Sequence, residues 1–120
     1  MEVVELDEPQ TVPNSRREFN REVAKAIDAA LNEILGQTSL EVLYDHLKTQ
    51  YDIESDEMSY HLQTIISVLD EMFGAVGAIA IGSDVAKKLY RQLGLRFVEH
   101  SNYSLKDYVE ETLKLLPNPE

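Results

Sequence analysis

The chain has 120 residues, 43% of them hydrophobic, with no cysteine or tryptophan, and its 22 acidic and 11 basic side chains give a formal net charge of −11. A chain of this length forms one domain that buries roughly two-thirds of its unfolded surface, and the hydrophobic content is that of a folded protein. Without cysteine there is no disulfide, thiolate metal site or cysteine nucleophile, and the acid excess repels phosphate backbones and anionic membranes while favouring basic partners.

Residues 1–14 are polar and acidic, and Pro9 and Pro13 deny helix continuity, so they read as an N-terminal arm. The opening MEVVELDEPQ lacks the basic and apolar regions of a signal peptide, and no uninterrupted apolar run approaches 18 residues. A cytoplasmic protein that does not span a membrane is expected. Ser15 and Glu18 form the sequence signature of a capping box. Phe19, Val23, Ile27, Ala30, Leu31, Ile34 and Leu35 then recur at helical spacing up to Gly36, a natural stop. Thr38 and Glu41 repeat the box before a second stripe, Leu40, Leu43, Tyr44 and Leu47, running to about Gln50.

A third stripe follows through Met58, Leu62, Ile65, Ile66, Leu69, Met72 and Phe73, closed by Gly74. Residues 75–82, AVGAIAIG, are apolar all round and precede an amphipathic run from Ser83 to Leu93. Either one buried helix or two helices broken at Gly82-Ser83 fits that pattern. Leu95 to Val98 suits a short extended segment, and Ser104 with Asp107 caps a last helix that Pro117 ends. The expected fold class is all-α: a single compact bundle of four to five helices over 15–116, between the acidic arm and a tail at 117–120.

Chemistry-bearing motifs are sparse. Gly74, Gly77 and Gly82 are not followed by the Lys-Ser or Lys-Thr of a phosphate loop and follow no strand pattern, so close helix packing in the core or across a dimer interface explains them better. Ser59 to Leu62 resembles part of a winged-helix DNA reader. From Thr49 to Ala86, however, there is no Lys or Arg, which removes the cations a recognition helix needs. Glu57 and His61, four residues apart, are weak metal-ligand candidates on one helical face, with His46 on another helix. Two ligands do not make a site, so no cofactor is expected. Arg17, Arg21 and Lys25 form a basic line near a helix start, where the dipole disfavours cations, and so are candidates for a partner contact. Val76, Ile79 and Ile81 are the apolar candidates.

The segments LYDHLKTQYDI at 43–53, LDEMFG at 69–74, KKLYRQLGLRF at 87–97 and YSLKDYVEE at 103–111 resemble an archaeal family of small helical domains, the Nitrosopumilus output domain. The resemblance covers roughly residues 25–115 and implies an archaeal cytoplasmic protein with a signalling or interaction role. It transfers no functional residue. The resulting expectation is a non-enzymatic module that binds another protein, or a second copy of itself, and neither nucleic acid nor membrane. The competing expectation is a domain that binds a small ligand or metal, or catalyses, through Glu57 and His61.

Overall fold

The computed structural model describes residues 15–116, so the arm at 1–14 and the tail at 117–120 lie outside the described residues. Four α-helices follow in order: α1 (Arg16–Leu35), α2 (Gln37–Tyr51), α3 (Leu62–Gln92) and α4 (Leu105–Leu115), with a 3-10 helix at Ser55–Tyr60 between α2 and α3. The chain is all-α, and no strand forms among the described residues. Residues 95–98, where a short extended segment was expected, belong to an irregular connection over 95–104 with one turn.

Two glycines make the sharp joints. Gly36 (φ 85°, ψ 162°) is the single residue between α1 and α2, and Gly74 (φ 80°, ψ 168°) interrupts α3 with nearly the same backbone. This region is closed to residues with a Cβ, so glycine alone turns the chain there without strain. α3 is therefore two helical runs, 62–73 and 75–92, meeting at an elbow. The run 75–92 is continuous through Gly82-Ser83.

The helix starts follow local chemistry. Ser15 Oγ accepts the Glu18 N–H at 3.2 Å. Ser104 and Asp107 form the reciprocal box, at 3.3 and 2.9 Å. The box expected at Thr38 and Glu41 does not form: the tight turn at Gly36 starts α2 two residues earlier, leaving Thr38 inside the helix and no side-chain cap. An unanticipated box links Glu54 and Glu57 at the 3-10 helix.

Packing centres on α1, which lies against α2, the 3-10 helix and α3, while α4 packs on α3. Phe19, Val23, Ile27 and Leu31 of α1 meet Leu43 and Leu47 of α2, Met58, and Ile65, Val68, Val85 and Leu89 of α3 in one core. Each such side chain contributes about 1.5–3 kcal/mol by leaving water. Ile34, expected on the buried stripe, is 46% exposed. Glu22 is buried inside this packing. Its backbone carbonyl and Oε1 both accept from Gln92 Nε2, at 2.9 and 3.0 Å, which fastens α1 to the end of α3. At the periphery, Lys88 bridges Glu33 at 2.8 Å and holds that carboxyl below its usual range.

Candidate interaction surface

The elbow creates an apolar concavity. In a straight helix Ile66 and Gly82 would lie about 24 Å apart, yet both line one apolar cavity of about 220 Å³. Its walls are residues of the run 62–73 (Ile66, Leu69, Asp70), residues of the run 75–92 (Ala75, Ala78, Ile79), and Leu105 and Tyr108 of α4 with the preceding Tyr103. Two glycines of the small-residue stretch have steric roles here. A Cβ on Gly77 would sit 2.9 Å from Phe73 Cβ across the bend, and one on Gly82 would rest 3.5 Å from Leu105 Cβ. Gly77 thus permits the close approach at the elbow, whereas a methyl at Gly82 would make only an ordinary contact with α4.

Large apolar side chains crowd the outside of the elbow. Met72 is 47%, Phe73 38%, Val76 83% and Ile79 62% exposed, and Ala75 and Ala80 beside them are also open to solvent. Exposed apolar residues elsewhere, such as Val42 on α2 and Val98 in the connection, are separate in the chain, and single exposed residues are ordinary. Four large apolar side chains exposed within the eight residues 72–79 at one bend are less ordinary.

The far wall is fixed by an aromatic cluster that sequence pattern did not reveal. Tyr90, Phe97, Tyr103 and Tyr108 pack edge-on or tilted at centroid distances of 4.9–6.4 Å, and His100 stacks on Tyr103 at 4.1 Å. Tyr108 Oη accepts the His100 N–H at 2.8 Å and donates to the His100 carbonyl at 3.1 Å, pinning the irregular connection. Tyr90 Oη donates to Glu111, and lies 3.3 Å from the Tyr108 carbonyl. Burial and the Glu111 carboxylate together push the Tyr90 phenol well above the usual tyrosine range. Burial, then Asp28, which accepts from Tyr44 Oη at 2.7 Å, does the same to Tyr44.

The candidates chosen from sequence separate cleanly. Val76 and Ile79 lie on the exposed elbow. Ile81 does not: it is 4% exposed and belongs to the core, because five residues past Val76 the helix has turned by about 140°. Of residues 75–82, for which a buried helix was one of two alternatives, only Ile81 and Gly82 are buried. Arg17, Arg21 and Lys25 are exposed on α1 and line no part of the apolar cavity, and Lys25 Nζ lies 4.0 Å from Glu22 Oε1.

Glu57 and His61 do not share an α-helical face. Glu57 belongs to the 3-10 helix, where its Oε1 accepts the Glu54 N–H at 3.0 Å, and His61 has left helical geometry at φ −130°, ψ 36°. His46 lies on α2 and packs edge-on against Tyr51. No group of three or more metal-ligating side chains converges among the described residues. His61 instead borders a second, polar cavity of about 380 Å³ with Arg16, Lys106 and Glu110.

By length and composition alone, α3 is apolar enough to cross a membrane. Its uncharged stretch, however, is 72–83, about 18 Å as helix against a hydrocarbon core of about 30 Å, and Gly74 breaks it. The chain matches no protein-family model, no curated protein and no solved structure.

Proposed function

We propose that this chain is a non-enzymatic protein-interaction module whose contact surface is the elbow of α3. One observation carries this reading: Met72, Phe73, Val76 and Ile79 stand exposed together around the elbow, and Ile79 also lines a preformed apolar cavity beside it. Leaving four large apolar groups in water forgoes several kcal/mol of burial that a partner would recover. The cavity's size favours a partner's side chain over a metabolite, because about 220 Å³ falls below the roughly 300–1,000 Å³ typical of small-molecule sites. It matches the pocket-and-anchor arrangement of protein interfaces, in which one buried apolar or aromatic side chain supplies much of the affinity. Glu57, the leading polar candidate for ligand chemistry, spends its carboxylate on a local backbone cap.

A signalling output role, in an archaeal cytoplasm, is the setting the family resemblance suggests for such a module. The surface assignment is tested by placing a photo-crosslinking amino acid at position 76 in the intact chain, in cells. Position 42 is the control, since Val42 is 62% exposed on α2. Adducts formed from position 76 and not from position 42 are expected. Equal adducts from both positions, or none from 76, would refute the elbow as the contact surface.

A further inference from the structure

We infer that the partner which covers the elbow is a second copy of this chain, docked antiparallel along the run 75–92 of α3. The inference rests on the interaction-surface reading above and names its occupant. At 100° per residue, Val76, Ile79, Ala80, Ser83, Lys87 and Arg91 fall within an arc of about 120° on this run. All of them are exposed except Ser83, which is half-buried. The face has a sequence along its length. Its N-terminal end is apolar, its middle is small, and its C-terminal end is basic, while Asp70 and Glu71 stand exposed just across the elbow from the apolar end.

That order is self-complementary. A twofold axis between Ala80 and Ser83 sets Val76 of one copy opposite Lys87 of the other, so the lysine stem covers the valine. It also brings Arg91 toward the Asp70 and Glu71 end of its mate. A parallel arrangement would set Lys87 on Lys87 and Arg91 on Arg91. The small central residues let the helices approach closely, and antiparallel helix dipoles attract. Lys87 and Arg91 form no close ion pair among the described residues, Arg91 acting on Glu33 only at longer range, whereas Lys88 is taken up by Glu33 and Asp84.

The net charge of −11 on each copy opposes association at long range. Over a Debye length of about 8 Å at 0.15 M salt that repulsion is screened, while groups in contact across the interface are not. The local complementarity therefore decides the outcome.

The absence of native cysteine makes the register directly readable. In the antiparallel dimer a cysteine at position 80 lies about 4.5 Å along the axis from its symmetry mate, and one at position 87 about 16 Å. Ala80→Cys is expected to oxidise to a disulfide-linked dimer and Lys87→Cys to remain monomeric. Cross-linking of both variants would mean a parallel pair and overturn the arrangement. In light scattering, the unmodified chain at several hundred micromolar is expected to reach twice 13.7 kDa. The pair Lys87→Glu and Arg91→Glu should weaken the dimer about tenfold. Adding Asp70→Lys and Glu71→Lys should restore it. A chain that stays monomeric at that concentration overturns the self-association. If position 76 still cross-links to a different polypeptide, the interaction reading survives that failure.

Discussion

Replacing Gly74 by alanine isolates the conformational demand of the elbow. The glycine sits at φ 80°, ψ 168°, and a Cβ built there meets nothing within 4 Å, so contacts neither oppose nor reward the change. The whole effect is the backbone cost of holding an L-residue in this region, about 1–3 kcal/mol. For a domain of this size that corresponds to a fall in Tm of about 4–12 °C, read by circular dichroism at 222 nm and confirmed by urea unfolding. Gly36 supplies an internal replicate, with φ 85°, ψ 162° and an equally empty surrounding. Gly36→Ala should cost the same within about 0.5 kcal/mol. Alternatively the chain relieves the strain at Gly74 by straightening α3, which small-angle scattering would register as an increase over the Cα radius of gyration of 14.6 Å. A Gly74→Ala protein with unchanged stability and unchanged dimensions would refute the argument that the elbow requires this backbone.

Other consequences are equally direct. Tyr90→Phe removes the hydroxyl that donates to Glu111 and should cost about 1–2 kcal/mol in urea unfolding, because a partly buried carboxylate keeps only the longer bond from Tyr103, at 3.3 Å. Tyr44 and Tyr90 both have folded pKa values raised above the unfolded tyrosine value of about 10, so the stability from their neutral forms is complete below pH 10. It is lost as pH rises from there toward the folded values, because the unfolded chain releases those protons first. The urea midpoint should therefore fall between pH 9.5 and 11.5, less steeply in Tyr90→Phe. Leu89→Ala, at a fully buried position facing α1, should cost about 2–5 kcal/mol in the same assay. Val76→Asp, at a position 83% exposed, should change stability by less than about 0.5 kcal/mol. A larger loss there would mean that the elbow is structural and not a contact surface.

Much of the fold was legible because helices are written locally. The stripe of Phe19, Val23, Ile27 and Leu31, the Ser15 cap, the Ser104–Asp107 box and the stops at Gly36 and Gly74 each depend on residues within a turn or two of one another. Periodicity of three and four fixes which residues share a face. It does not fix whether that face meets a neighbour. Leu62, Ile65, Leu69, Met72, Val76 and Ile79 continue one such pattern straight through Gly74, and sequence alone treats them alike. Only the direction taken after the glycine leaves Ile65 and Leu69 in the core and Met72, Val76 and Ile79 in water. The same bend assembles the cavity from residues sixteen apart. The aromatic cluster joining Tyr90 to Phe97 and Tyr108 is equally non-local, as is the Gln92 clasp on Glu22, seventy residues away. Composition, charge and periodicity thus determined an acidic all-α domain and most of its helix ends. The tertiary structure decided which apolar residues it hides and which it presents, because burial depends on the neighbours that a bend brings together, and local pattern carries no record of them.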